Sequence, residues 1–342
     1  MKATRIREHG GLERVEWCDV DTPALRSDDV RVEIHAAGLN HLDLWVRRGL
    51  PGHKYRLPLT TGADGAGVIV EIGAAVSHVT VGDRVVIAPG IGCGTCEACL
   101  SGADHRCRDY QIFGEGRDGT HAESVVVPAR NVFPLPAGVA VAEAGCFVLA
   151  ALTAWTMLIE RAAIRADERV LVLAGGSGVG VMAIQICRLH GCQVIATAGG
   201  PEKCAQVRAL GADSVIDHST DNIAQRVRDL TEQRGVDVVV EHVGSATWST
   251  SLKCLARGGR LVTCGATTGF DVKLDLRHVF FKNLSLLGST MGPIGLVPKL
   301  VRLLAAGRLR PVVAKTFPLS GARAAQAALE AHEAVGKMVL VR

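Results

Sequence analysis

Aromatic side chains are scarce: two tyrosines, four tryptophans and seven phenylalanines make up 4% of 342 residues. A core without large rings must close by interdigitating small aliphatic groups. The 39 glycines and the 48% of residues that are apolar suit close-packed layers of helix and sheet. No run of ~20 apolar residues occurs, which excludes a membrane-spanning helix from the expectation. Residues 1–5 lack the apolar core of a signal peptide, so a cytoplasmic location is expected. No block of like charge is present either. The net charge of +4 is small and its lysines and arginines are scattered, which argues against nucleic-acid or membrane partners. The expected partners are a small-molecule substrate and further copies of the chain, as homodimer or homotetramer. Cysteine is the exception to this sparseness. Eleven thiols, an odd number, do not make a complete disulfide framework, and in a reducing compartment a cysteine cluster reads as metal ligands.

The length accommodates about two domains. The most informative stretch is residues 169–189. An apolar run, Arg169-Val170-Leu171-Val172-Leu173, reads as a buried strand. It passes through Ala174-Gly175-Gly176-Ser177-Gly178-Val179-Gly180 into a segment with helical apolar periodicity. A backbone that must approach a pyrophosphate needs residues without bulk, and the helix N-terminus offers free N–H groups and a positive dipole end. Gly175 and Gly180 meet a G-x-G-x-x-G pattern whose middle position is Ser177. Further strands are predicted over 193–197, 211–217, 236–241, 260–264 and 284–287. Helices are predicted between the earlier of them, over 201–210, 223–230 and 249–256. This alternation is the mark of a doubly wound parallel sheet. Residues 1–135 differ: short strands over 30–36, 67–72, 83–87 and 122–127, separated by Gly, Pro and Asp, suggest a small β-barrel with one short helix over 41–47. A long helix over 141–160 leads into the nucleotide-binding domain, assigned to 136–305. Residues 306–342, with strands over 312–317 and 337–341, are expected to return to the first domain.

Ala36-Ala37-Gly38-Leu39-Asn40-His41-Leu42-Asp43, Gly62-Ala63-Asp64-Gly65-Ala66-Gly67, Val81-Gly82-Asp83-Arg84-Val85, the glycine turn and Gly336-Lys337-Met338-Val339-Leu340 resemble the medium-chain dehydrogenase/reductase superfamily over essentially the whole chain. That superfamily includes zinc alcohol dehydrogenases, quinone reductases and enoyl reductases. The resemblance implies an α/β protein: a Rossmann doubly wound parallel sheet plus a GroES-like β-barrel substrate domain.

Cys93, Cys96, Cys99 and Cys107 give C-x2-C-x2-C-x7-C, and four thiolates so close in sequence can close a tetrahedral shell around zinc. The spacing matches the structural-zinc lobe of zinc alcohol dehydrogenases, at about residues 90–110. Four protein ligands leave no open position, so one structural zinc is expected. The catalytic zinc of the superfamily takes three ligands at positions that here hold Asn40, Ala63 and Leu149, none suited to the metal. His41, His53, Asp43, Asp64, Glu143 and Cys146 are conceivable replacements, but none has a tight motif spacing.

Nicotinamide specificity follows from the end of the second nucleotide-domain strand. Ala196-Thr197-Ala198 carries no carboxylate where an NAD site places one, and Lys203 follows on the next helix. NADP(H) is therefore favoured over NAD(H). Cofactor contacts are expected from Gly175, Gly176, Ser177, Gly178, Val179, Gly180, Thr197, Ala198, Lys203, Val243, Gly265, Ala266 and Ser289, and the resemblance implies a place for His41 beside the pyrophosphate. Asn40, Asp43 and Tyr55 are the polar candidates beside substrate. Asn40 would give an amide N–H to a carbonyl as enolate charge develops, and Tyr55 a proton. The expected activity is nicotinamide-dependent reduction of an enone, enoyl thioester or quinone without catalytic zinc. The alternatives are a zinc-type alcohol dehydrogenase and a cofactor-binding protein without catalysis.

Overall fold

The computed structural model describes all 342 residues, which divide into two compact units. One comprises Met1–Leu149 and Gly292–Arg342, the other Ala150–Met291. These boundaries differ from those expected near 135 and 305, for local reasons. The short helix Val141–Ala144 ends at Gly145, whose carbonyl accepts the Gly38 N–H at 2.8 Å. The backbone N–H of Leu149 donates to Asp64. Both contacts tie this stretch to the first unit. At the other boundary, the Ile294 N–H donates to the Asp104 carboxylate within the cysteine lobe at 2.9 Å.

The first unit is built on the strand Asp29–Gly38, which pairs antiparallel with Gly65–Ile72, Ser124–Pro128 and Lys337–Val341. Val30, Val32 and Ile34 alternate into a core shared with Ile69, Val85 and Leu340. Full burial of each such side chain stabilises the fold by roughly 1.5–3 kcal/mol. Gly67 is required by close approach: a β-carbon there would lie 1.8 Å from the Glu33 carbonyl oxygen. The chain's last strand sets Val339 opposite Gly38, and Leu39 N–H donates to Met338 O. That register carries Lys337 to the level of Asn40.

The helix expected over 141–160 is broken. After Gly145, where a β-carbon would lie 2.6 Å from the Ala36 carbonyl oxygen, it resumes at Val148–Trp155. It then widens over Thr156–Arg161, closing with Ala162 N–H to Met157 O. No helix is long and apolar enough to cross a membrane.

The second unit holds a six-stranded parallel sheet. Its spatial order is Ser214–Asp217, Gln193–Ala198, Arg169–Val172, Val236–Glu241, Leu255–Thr263 and Ser285–Gly288. Chain order reverses direction beside Arg169–Val172, so this is the doubly wound arrangement, with its ligand-binding edge at the strand carboxyl ends. One expected helix is shorter than predicted: Trp248–Cys254 stops where the next strand begins at Leu255.

Candidate active site and zinc lobe

The strand Asp29–Gly38 ends two residues before Asn40, which precedes the helix His41–Arg48. Asp43 reaches back from the first turn of that helix. One of its carboxylate oxygens accepts Asn40 N–H at 2.7 Å and the other accepts Gly62 N–H at 3.1 Å. Burial raises the Asp43 carboxyl above its ordinary range, against the neighbouring His121 and these two donors. The strand connection through Gly62 brings Asp64 beside Asn40. Asp64 Oδ2 accepts the Asn40 amide at 3.1 Å and the Lys337 ammonium at 3.2 Å, and Oδ1 accepts Leu149 N–H at 2.8 Å. Lys337 also donates to Asn40 Oδ1. Asp64 and Lys337 are 0% and 5% exposed, so this is a desolvated ion pair held by supplementary hydrogen bonds. Behind it, Thr61 Oγ1 lies 2.9 Å from His121 Nδ1. Burial holds His121 below its ordinary pKa, partly opposed by Asp43, and so favours the neutral ring.

The structure thus joins the expected Asn40 and Asp43 to Asp64, Leu149, His121 and Lys337. Tyr55 packs with Leu42 on Ile6, Val46 and Leu59, with His53 at 4.3 Å between ring centroids. Burial, then the charge of Glu115, push its hydroxyl up to about 12. His41 stacks on His332 at 6.2 Å.

The four lobe sulfurs lie within 4.8 Å of one another. A tetrahedral zinc with Zn–S bonds of about 2.3 Å spaces its sulfurs about 3.8 Å apart, and Cys93 Sγ and Cys99 Sγ are 3.9 Å apart. The four thiols therefore stand close to the spacing that a tetrahedral zinc requires. Cys93 N–H points to Cys107 Sγ at 3.3 Å, and Cys96 N–H to Cys93 Sγ at 3.4 Å, donors that favour thiolates. A β-carbon at Gly92 would meet Cys99 Sγ at 2.6 Å, so the fold-back needs glycine there. The six conceivable replacement ligands for a second metal do not converge in this way, and the lobe is the one group of three or more His, Cys, Asp or Glu that does.

In the second unit, the glycine turn joins Arg169–Val172 to the helix Gly178–Leu189. Ser177 caps the helix, its Oγ accepting Gly180 N–H at 2.9 Å. A β-carbon at Gly180 would lie 2.4 Å from the Ala174 carbonyl oxygen, so the turn closes only on glycine. Thr197 fastens the turn from the next strand: its Oγ1 accepts Ala174 N–H and its carbonyl Gly175 N–H. Gly176, Gly178 and Val179 complete the turn and the first helical residues. Val243, Gly265, Ala266 and Ser289 follow the carboxyl ends of the neighbouring strands. Val243 N–H is held by the buried Glu241 carboxylate at 2.7 Å, and Ser289 N–H by Thr263 O at 2.8 Å. Ala198 ends its strand, and Lys203 lies on the following helix, Pro201–Ala209. The capped, bulk-free turn fits the diphosphate of a dinucleotide.

Residues 26–137 match the family model of the alcohol dehydrogenase GroES-like domain, and residues 178–306 that of the zinc-binding dehydrogenase. The quinone oxidoreductase of Pseudomonas aeruginosa is 31% identical, with 99% of each chain covered. A crystal structure described as an NAD-dependent alcohol dehydrogenase superposes with a TM-score of 0.96 at 43% identity over 100% of both chains. A thermostable alcohol dehydrogenase from Pyrobaculum aerophilum, solved with cobalt and zinc bound, gives 0.91 at 34% identity, covering 100% of this chain and 99% of that one. The chain belongs to the medium-chain dehydrogenase/reductase superfamily.

It is accordingly a nicotinamide-dependent oxidoreductase of the medium-chain type. In this superfamily member, Asn40, Asp64 and the Leu149 N–H share a polar network whose cation is Lys337. Sequence reasoning quoted Lys337 only as part of the chain's ending. Its signal was nevertheless present: a single lysine heads the otherwise apolar strand Lys337–Val341. A charge buried at such a position calls for a buried partner. His121 carried no comparable signal, since its neighbours in sequence are not its partners in the fold.

Proposed function

We propose that this enzyme reduces an activated C=C bond, in an enone or enoyl thioester, or a quinone, without a catalytic zinc. The observation that carries the reading is the Asn40–Asp64–Lys337 network where the family's metal ligands would stand. Oxidising an alcohol means shedding a hydroxyl proton around hydride transfer. A metal lowers the pKa of bound water from ~16 to about 7, a help on the order of 12 kcal/mol. Asn40, Ala63 and Leu149 supply no ligand for such a metal. Hydride addition to a conjugated C=C is less demanding, because the charge spreads to an oxygen that hydrogen-bond donors can meet.

Counting hydrogens favours Lys337 as the donor. The two Asn40 amide hydrogens have acceptors in Asp64 Oδ2 and, at 3.4 Å, the Gly38 carbonyl. Lys337 spends two of its three on Asn40 Oδ1 and Asp64 Oδ2. Its third N–H is the donor left for a substrate oxygen, so Asn40, Asp64 and Asp43 act as positioning residues. A reduced dinucleotide held at the Gly175–Gly180 turn would supply the hydride. Lys337 meets the negative charge on the carbonyl oxygen, and water protonates the α-carbon.

The same proposal takes NADP(H) in preference to NAD(H). Ala198 offers no carboxylate to repel a 2′-phosphate, and Lys203 lies on the next helix. The nearest acid, Asp217, comes from the neighbouring strand. It is engaged by Ser219 Oγ and N–H and by Gly200 N–H, donors that hold its carboxyl below the ordinary range.

The direct test is Lys337→Met. Loss of one preorganised donor should lower kcat for reduction of 1,4-benzoquinone or 2-cyclohexenone about 10²-fold, with dinucleotide affinity retained. Lys337→Arg should recover part of the loss. An unchanged kcat in folded Lys337→Met protein would remove Lys337 from the chemistry.

A further inference from the structure

The chain enters the cysteine lobe along residues 88–92, and one short turn from elsewhere in the first unit holds that approach. The turn is Ala129–Asn131, directly after the strand Ser124–Pro128. Asn131 is fully buried. Its side-chain amide donates to Ala88 O at 3.0 Å and to Gly90 O at 2.7 Å, and its carbonyl accepts Ala88 N–H at 2.7 Å. Arg130 takes the next carbonyl in the series, donating from Nη2 to Gly92 O at 2.7 Å. Three alternate carbonyls ahead of Cys93 are thus held by two adjacent side chains. The Arg130 guanidinium also spans Cys93. Its Nη2 stands on Gly92 O, and a β-carbon on Gly94 would lie 2.5 Å from its Nη1. Gly92 and Gly94 flank Cys93 in the chain, so a delocalised positive charge lies across one cysteine of the lobe. The acceptor of this guanidinium is a carbonyl and not a carboxylate. Arg26 and Arg117 line the same cavity as Cys93 and Arg130, and Asp28 and Asp29 offset those two further charges.

Four thiolates on one Zn²⁺ carry a net charge of about −2. We propose that Arg130 is the counter-charge of the zinc lobe and, with Asn131, sets how tightly the lobe retains its metal. The proposal rests on zinc binding by the four cysteines and adds residues that ligate nothing. Arg130 is a positioning residue with two effects. Its hydrogen bond fixes the backbone ahead of Cys93, and its charge lowers the cost of keeping four sulfurs ionised together.

The test is the rate of zinc release from zinc-loaded protein to a chromogenic chelator, read at several sodium chloride concentrations. Arg130→Gln should release zinc about tenfold faster, the scale on which groups supporting metal ligands act. Arg130→Lys keeps the charge but loses the planar fork, and its rate should fall between the two. Salt screens attraction between charges near the surface, so wild-type release should quicken as salt rises, and Arg130→Gln release should quicken less. A role in packing alone would not produce that difference. Arg130 is exposed, so neither substitution opens the core, and thermal unfolding establishes that each variant is folded. Sulfur-to-cobalt charge-transfer absorption of cobalt-substituted protein gives a second readout. Its retention in Arg130→Gln shows an intact four-sulfur shell that holds metal less well, whereas its loss would mean a misfolded lobe and overturn the counter-charge role. Equal release rates in wild type and folded Arg130→Gln protein, or equal salt dependence, also overturn it. Wild-type protein that takes up no zinc in the lobe would instead reject the metal site itself, and the proposal with it.

Discussion

His242 is neutral in the folded protein and has an ordinary pKa once the chain unfolds, and that difference makes it a source of pH-dependent stability. Its folded pKa, about 4, lies below the usual 6.5, so the unfolded chain takes up the proton first as pH falls. Stability present above pH 6.5 is lost on acidification toward 4, on the order of 3 kcal/mol for a shift of this size. His121, also depressed, contributes in the same direction, while Asp43, raised by burial, contributes in the opposite one. Comparing wild type with His242→Gln cancels both. The melting temperature of cofactor-free wild type should fall more steeply between pH 6.5 and 4.5 than that of the variant, and parallel curves would contradict the assignment. Residue-scale chemistry was only partly legible in the sequence. Asn40 and Asp43 could be found because they sit in a motif beside a strand end. Lys337 meets Asn40 across 297 positions of chain, through a strand register that no local pattern encodes.

Elements were more legible, because each follows from a short-range rule. The six parallel strands announced themselves as apolar runs bounded by glycine turns, and the cysteine lobe by its spacing. The break at Gly145 was not legible, because only the approach of the Ala36 carbonyl reveals why a helix must stop there. The lobe is tied to Ile294 through Asp104, so loosening the lobe should be felt beyond the loop. Cys96→Ser should reduce bound zinc, measured by atomic emission, and lower the melting temperature, since metal binding contributes to folding. Retention of full zinc and stability would show that Cys96 is not a ligand. At the end of the strand Gln193–Ala198, Ala198→Asp adds an acceptor for ribose and a charge that repels a 2′-phosphate. The ratio of NADPH to NADH dissociation constants should then shift toward NADH by about tenfold or more, an order set by one close like-charge contact. An unmoved ratio would place the 2′-position elsewhere.

For the whole molecule, one unit carries the Asn40–Asp64–Lys337 network and the four-cysteine lobe, and the other carries the glycine turn. Comparison with relatives fixes the superfamily and leaves the reaction to the residues, since a fold hosts many chemistries. The central claim is that hydride reduction here proceeds with an internal ammonium rather than a catalytic metal. The measurement that tests it most directly is kcat/KM for enone or quinone reduction beside that for oxidation of simple alcohols. Both are determined on protein of known zinc content, before and after mild chelation that leaves the fold intact by circular dichroism. The account predicts about one zinc per chain, reduction exceeding alcohol oxidation, and reduction that survives the chelator. Robust alcohol oxidation that vanishes with the chelator while the fold persists would contradict it.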